Sequence, residues 1–353
     1  MISGIICEFN PLHDGHKYLI DTVREKSDGV VCVMSGSFVQ RGEFAVYDKF
    51  KRAESALNNG ADLVIELPCI YSLMSANGFA KYAVQILEAT GIIDEIAFGT
   101  ECDNMDELKA TADKIRSLEN EIKDKMKEGL SYPSARKAVV KSDILDTPNN
   151  ILALEYINAT KLPCRAVKRI GKGHDTDDVD YSASAIRKNL SLDEICSIKN
   201  CEVAVLAKLR TMCAEDFAKI EDVTEGLENR IVDSVRTSVS LEEIYNKIKT
   251  KRYTHSRIRR IILRAYLGIT EEYSTDAPYI RILGFNNTGK EFLSRMKKNT
   301  VLPIVSRYAD IDKLTDNGKK LFELECRCTD LYNLGYKSPL PCGTEQRTKI
   351  IIK

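Results

Sequence analysis

The sequence predicts a doubly wound α/β fold, and three observations carry that expectation. Short, continuous apolar runs recur through the first half, at residues 2–9, 30–34, 62–67 and 95–98. Stretches of helical periodicity separate them. Gly, Pro and Asn breakers stand where one pattern gives way to the other. Continuous apolar strands are buried on both faces, as they are in a parallel sheet covered by helices on each side.

The elements follow in order. The run at 2–9 is a strand, and 15–26 is a helix. The second strand, 30–34, precedes a helix at 47–59 that Asn58-Asn59-Gly60 stops. The third strand, 62–67, ends at Pro68. A helix at 75–89 stops at Gly91, and the fourth strand ends in Gly99-Thr100. Residues 104–128 read as surface helix in two pieces. Pro148-Asn149-Asn150 opens a helix at 151–160, and 164–170 is a fifth strand. A polar loop with four aspartates leads to a short helix from about 182. These elements make up an expected first domain, 1–193. The remainder, 194–353, is expected as a smaller, mainly helical domain, helical to about 267 and mixed thereafter, with a final helix near 316–332.

Composition excludes several classes. Lys+Arg and Asp+Glu number 52 each, so a globally basic nucleic-acid binder is ruled out while a local basic patch is not. No apolar run approaches the ~20 residues of a membrane span. The N-terminus has no basic segment and reaches Glu8 at once, so no signal peptide is expected and a cytoplasmic location is. Eleven unevenly spaced cysteines read as reduced thiols.

The strongest chemical signal is Asn10-Pro11-Leu12-His13-Asp14-Gly15-His16, directly after the first strand. A strand-to-helix turn aims backbone N–H groups and the positive helix end at one point, where a phosphate fits. Gly15 allows close approach. His13 and His16 can face one phosphate and donate to its oxygens as charge builds. Two of only four histidines stand here, which leaves little room for two ordinary surface residues.

His-x-Gly-His after strand one resembles the signature of the nucleotidyltransferase superfamily. Glu8-Phe9-Asn10-Pro11-Leu12-His13-Asp14-Gly15-His16 more closely resembles the start of the tRNA(Met) cytidine acetate ligases. So do Met34-Ser35-Gly36-Ser37-Phe38-Val39-Gln40-Arg41-Gly42-Glu43, Asp62-Leu63-Val64-Ile65-Glu66-Leu67-Pro68, Phe98-Gly99-Thr100-Glu101, Pro148-Asn149-Asn150-Ile151-Leu152 and Thr250-Lys251-Arg252-Tyr253-Thr254. The resemblance implies a Rossmann-like domain of the HUP type. It implies activation of acetate by ATP, with Mg²⁺ accompanying that ATP, and acetylation of the wobble cytidine of elongator tRNA(Met) to N4-acetylcytidine.

The resemblance places catalysis on His13 and His16. It places ATP on Ile6, Cys7, Glu8, Phe9, Asn10, Pro11, Leu12, His13, Asp14, Gly15, His16, Lys17, Tyr18 and Leu19, with Gly99, Asn149, Arg169 and Ile170. Gly99 ends a strand at the crevice where α/β sheets bind ligands. Asn149 either bonds a base or ribose or caps the helix that follows. Arg169 either meets phosphate or adenine or forms a surface ion pair.

Ser182, Ser184 and Arg187 resemble the superfamily's second phosphate element, with a plain capped helix as the alternative. Arg41 meets acetate or an acyl phosphate, or lies in a surface turn. Lys49, Lys51 and Arg52 read as a solvated helix face. Glu66, charged within an apolar strand, is expected at the strand's mouth.

Residues 247–264 hold eight Lys or Arg and no Asp or Glu. Ile258, Ile261, Ile262 and Ala265 form an apolar helix face, leaving Arg257, Arg259, Arg260 and Arg264 largely outside. With Lys251 and Arg252 they suit an RNA backbone; a solvated basic face is the alternative. No metal site is expected: the cysteines lack zinc spacing, and Asp175, Asp177, Asp178 and Asp180 read as a solvated acidic loop.

Three other activities use parts of this pattern. A cofactor adenylyltransferase needs the histidines but not the second half. An aminoacyl-tRNA synthetase needs a lysine-rich loop that residues 181–187 do not supply. A non-catalytic RNA-binding protein needs the basic tract alone.

Overall fold

The computed structural model describes residues 1–169, 183–224, 226–273 and 275–353, and only the backbone of Ser184. The chain begins β1 (Ile2–Cys7), α1 (Asp14–Arg24), β2 (Gly29–Ser35), β3 (Phe38–Val39), β4 (Glu43–Phe44), α2 (Lys49–Asn58) and β5 (Leu63–Leu67). It continues α3 (Cys69–Ser72), α4 (Ala76–Ala89), β6 (Glu95–Thr100), α5 (Met105–Ser117), α6 (Glu119–Lys127), α7 (Tyr132–Val140), α8 (Pro148–Ala159), β7 (Cys164–Lys168) and α9 (Ala183–Asn189).

β1 and β2 are buried along their whole length, which explains their unbroken apolar sequence. Successive side chains enter opposite layers. Ile5, Cys7, Cys32 and Met34 pack with Ile20 and Val23 of α1 and Phe50 and Ala53 of α2. Ile6, Val31 and Val33 pack with Phe79 and Ala83 of α4 and Leu154 of α8. β1 pairs in parallel with β2 on one side and β6 on the other. The chain thus winds outward through β2 and β5, then returns to β6 and β7 on the other side of β1. The strand order reverses between β1 and β6, which opens a crevice at their carboxyl ends.

The hairpin β3–β4 and the helix α7 went unforeseen; each is too short or too polar to stand out by periodicity. The second half is helical first, as expected: α10 (Glu202–Arg210), α11 (Ala214–Ala218), α12 (Leu227–Arg236), α13 (Leu241–Ile248) and α14 (His255–Leu267). It then gives β8 (Ile280–Phe285), α15 (Asn287–Asn299), β9 (Ile304–Val305), α16 (Asp316–Tyr332), α17 (Thr344–Arg347) and β10 (Ile351–Ile352).

The expected boundary at 193/194 does not divide the sheet. β8 pairs antiparallel with β5, and β9 and β10 both pair with β8. Without them the apolar edge of β5 would be open.

Two sequence readings are corrected beside this edge. Lys49 and Arg52 are buried, not solvated, at 1% and 2% exposure. Glu66 is equally buried, and Lys49 Nζ donates to it at 2.5 Å and also pairs with Glu345 of α17. Burial alone would depress the Lys49 ammonium, but Glu345, Glu66 and Glu325 hold it up. Arg52 donates to the carbonyls of Tyr47, Glu8, Ser35 and Gly36, stitching the ends of β1 and β2 to α2. Lys51 stays exposed, over the Tyr47 ring.

Candidate active site

The crevice at the β1/β6 reversal is a cleft of about 470 Å³. Its floor is the end of β1, and α1 begins at its rim. His13 is the N-cap of α1, and its Nδ1 accepts from Gly15 N at 3.1 Å. That bond leaves the proton of the neutral ring on Nε2. A Cβ on residue 15 would stand 2.9 Å from His13 Cε1, so only glycine lets the ring fold over the turn. His16 follows on the same face. The two ring centroids are 3.8 Å apart, and Phe9 meets His16 edge-on at 5.1 Å. Phe9 itself has φ 45°, a conformation non-glycine residues rarely hold. Burial, then the neighbouring His13 and Arg169, push the His16 imidazolium well below its ordinary range. A neutral His16 faces the cleft beside the amino end of α1, which attracts anions.

The opposite wall comes from β6 and α8. Thr100 and Asn150 lie side by side, and Asn150 Oδ1 accepts from the amides of Glu101 and Cys102 at 3.0 Å. Glu101 returns the contact, accepting from Asn149 Nδ2 at 2.6 Å and Asn150 N at 3.1 Å. Two sequence motifs far apart in the chain thus form one wall. α8 starts at Pro148 with Thr147 as its cap, so the capping alternative for Asn149 is corrected: it lies inside the first turn. Arg169 Nε is 4.0 Å from Glu101 Oε1, and a Cβ added at Gly99 would meet the Arg169 stem only at an ordinary 3.6 Å. Phe79, Phe98 and Tyr156 supply an apolar flank.

The third side is the turn between β3 and β4. Gln40, Arg41 and Glu43 line the cleft there, and Gln40 N donates to Glu8 Oε1 at 2.7 Å. Arg187 of α9 reaches in from the fourth side, donating to Asn10 O at 2.7 Å. Burial raises the Glu8 carboxyl above its ordinary range, although the Gln40 amide and the guanidiniums of Arg52, Arg41 and Arg187 oppose it.

Of the stretch 6–19, Ile6, Cys7, Glu8, Phe9, Asn10, His13, Gly15, His16, Tyr18 and Leu19 line the cleft. Pro11, Leu12, Asp14 and Lys17 do not; Lys17 turns outward to Asp21 at 2.8 Å. Asn10 lines the cleft, but its Oδ1 is taken by Val46 N at 2.8 Å. Gly99, Asn149, Arg169, Arg41 and Arg187 all line it. Ile170, Ser182, the Ser184 side chain and the four aspartates lie outside the described residues. Among the described residues no group of three or more His, Cys, Asp or Glu could hold a metal ion, and no helix is long and apolar enough to cross a membrane.

Comparison with known proteins settles the lineage. The family model described as HIGH Nucleotidyl Transferase matches residues 1–204 and 191–347. A tRNA(Met) cytidine acetate ligase of Acetivibrio thermocellus is 35% identical over 99% of this chain and 99% of its own. Another, from Clostridium novyi, is 36% identical over 96% of each.

The chain belongs to the tRNA(Met) cytidine acetate ligase family.

A crystal structure of Thermotoga maritima TmcAL bound with alpha-thio ATP superposes with a TM-score of 0.89 at 30% identity, covering 99% of both chains. The HUP-type α/β nucleotidyltransferase fold expected from the sequence is therefore the observed one.

In this ligase-family chain the basic tract is not the outward arginine face that the sequence suggested. α14 turns Arg259 and Arg260 to the cleft's own β3–β4 turn, and Arg257 and Arg264 to Asp222 and Glu221. Arg260 is 9% exposed, with Gln40 O at 3.5 Å and Asp222 at 3.7 Å from its guanidinium. Arg264 is 2% exposed and paired with Glu221 at 2.9 Å. Arg259 donates to Glu43, and Arg257 to the Asp222 carbonyl at 2.6 Å. Buried guanidiniums need such partners, and the sequence count of charges gave no sign of them. Lys251 is exposed and Arg252 half-buried. Gly42 makes the close packing of α14 possible: its φ is 73°, and a Cβ there would stand 2.6 Å from Arg260 N.

Proposed function

We propose that this protein activates acetate with ATP and acetylates the wobble cytidine of elongator tRNA(Met) to N4-acetylcytidine. The observation that carries the reading is the His13–His16 pair, 3.8 Å apart at the rim of the strand-reversal crevice, in a chain matched end to end by the ligases.

In the first step an acetate oxygen attacks the α-phosphorus of ATP. The bridging bond to the β-phosphate breaks and pyrophosphate leaves, giving acetyl-adenylate. His13, through Nε2–H, and His16 donate to the phosphates, aided by the amides opening α1. The residues of 6–19 that line the cleft, with Gly99, Asn149 and Arg169, hold the nucleotide, and Arg41 and Arg187 face acetate and the outer phosphates; Ile170 is assigned to the nucleotide, and Ser182 and Ser184 to the phosphates, from the sequence alone. Mg²⁺ enters as the counter-ion of ATP. In the second step the exocyclic amine attacks the acetyl carbon and AMP leaves. No covalent enzyme intermediate is needed, because positioning brings the amine to the adenylate directly. An anticodon-loop base can be splayed from its stack to reach the cleft.

We assign residues 1–193 to catalysis, with β8–β10 completing their sheet, and the rest of 194–353 chiefly to tRNA contact, with Lys251, Arg252, Arg257 and Arg259 near the RNA backbone. Arg260 is withdrawn from that set because its guanidinium is buried. Eleven free thiols suit a reducing cytoplasm.

The test is a reaction of ATP, acetate and a tRNA(Met) transcript, digested and read by mass spectrometry. Acetylcytidine forms only with all three and is lost in His16→Ala. Acetate-dependent ATP cleavage without base modification would leave the first step and remove the tRNA assignment.

A further inference from the structure

The acyl transfer leaves one proton without a destination. When N4 of cytidine attacks the acetyl carbon, the nitrogen becomes cationic and must shed a proton before the amide is stable. A side chain that takes it has to face the cleft and keep an acceptor atom open there.

Most acceptors on the wall are already committed. His13 Nδ1 accepts from Gly15 N. His16 Nδ1 is sealed from solvent. Glu43 pairs with Arg259 through Oε1 and is more than a third exposed, away from the cleft floor, and Glu101 holds Asn149 and Asn150 with its two oxygens. Burial pushes the Tyr156 phenol up, so it stays a donor.

Glu8 is different. It stands at the end of β1, on the cleft floor. Oε1 accepts from Gln40 N at 2.7 Å, which fixes the carboxylate plane. Oε2 has no hydrogen-bond partner among the described residues. We propose that Glu8 is the general base of the acyl-transfer step, taking the N4 proton on Oε2.

The balance is simple. The N4–carbon bond forms, the carbon–oxygen bond to AMP breaks with its electron pair going to the phosphate, and the N4 proton passes to Oε2 and then to solvent. The inference rests on the ligase reading and deepens it. Nothing in the first step needs Glu8 as a base, because acetate arrives ionised.

The groups acting on Glu8 come from every side of the cleft: Arg52 of α2, Arg41 of the β3–β4 turn, Arg187 of α9, Tyr156 of α8 and Cys7 of β1. The three guanidiniums offset the charge of a carboxylate placed beside an anionic adenylate. Burial outweighs them and makes Glu8 a stronger proton acceptor than an exposed glutamate.

The test separates the two steps in the full-length protein. Acetate-dependent exchange of labelled pyrophosphate into ATP reports activation. Single-turnover transfer from preformed acetyl-adenylate to tRNA reports acylation. Glu8→Gln can still accept from Gln40 N, and because Glu8 also lines the nucleotide cleft each step is read against the other: the ratio of transfer to exchange is expected to fall ~100-fold. Glu8→Asp recovers part of the transfer. In wild type the transfer rate rises with pH through an acidic inflection that Glu8→Gln lacks. Equal loss of both steps with an unchanged pH profile would overturn the proposal, and so would unimpaired transfer in Glu8→Gln. A wild-type protein with no acetate-dependent exchange would instead remove the ligase reading, and this proposal with it.

Discussion

Arg259 donates to Glu43 at 2.7 Å, joining the basic helix α14 to the turn that carries Arg41 into the cleft. The tract read from sequence as an RNA face is thus also a brace for the active-site wall. Both partners are more than a third exposed, so the bond itself is worth little. We expect a double-mutant cycle of Arg259→Ala and Glu43→Ala to give a coupling below ~1 kcal/mol in urea unfolding. A coupling several times larger would mean that the pair is desolvated in solution.

Gly42 sets the approach of the same two elements. Gly42→Ala needs a side chain at φ 73° and within 2.6 Å of the Arg260 amide. We expect a loss of about 1–3 kcal/mol, with the hairpin displaced from α14. Denaturant titration checks the loss, and a neutral outcome would show that α14 can retreat freely.

Glu101 orders the Asn149 amide. Removing it in Glu101→Ala frees Asn149 Nδ2 and leaves the first turn of α8 without an acceptor. We expect ATP affinity to fall about ten-fold, near 1.4 kcal/mol, in calorimetric titration. Unchanged affinity would place the nucleotide away from this wall.

Two buried groups tilt stability with pH in opposite directions. His16 is held neutral, so below its unfolded value of 6.5 the unfolded chain binds the extra proton and stability drops as pH falls. Glu325 is pushed up to about 8 by burial and by Glu66. Its native state keeps a proton that the unfolded state loses above 4.5, so stability drops as pH rises toward 8, by at most about 1.4 kcal/mol per pH unit. Glu325→Gln is expected to flatten the profile between pH 6.5 and 8, and His16→Asn to flatten it below 6.5. Unfolding midpoints across pH read both slopes, and a slope unaltered by its substitution would exclude that group.

Lys49→Met is expected to cost about 3–5 kcal/mol, because Glu66 and Glu345 would keep their burial and lose their shared cation. A thermal melt that barely moves would contradict the pairing.

The central sheet and the His13–His16 turn were legible because local pattern decides them. Apolar, β-branched runs as short as 30–34 are too short for a buried helix and fit a strand covered on both faces, and Gly15 between two histidines marks a ligand turn. The wall joining Glu101 to Asn149 was legible only as two separate motifs, since spacing along the chain says nothing of their meeting. Lys49, Arg52, Glu66 and Arg260 were misread for one reason. A charge in sequence looks solvated until its partner is known, and the partners of Lys49 and Arg260 lie far away in Glu345 and Gln40. Residues 280–285 lay in a stretch read only as mixed structure, and the antiparallel pairing of β8 with β5 was not legible, because strand order is a property of tertiary packing.

The joining of β8 and Glu345 to the edge of β5 bears on how the protein is made. A ribosome delivers Lys49, Glu66 and the whole catalytic turn well before the segment that seals them. Until it arrives, the nascent sheet ends in a bare apolar edge above a buried Lys49 ammonium that lacks one of its two carboxylates. Chaperone holding of that intermediate, rather than early release of a finished amino-terminal domain, is the biosynthetic route this topology calls for.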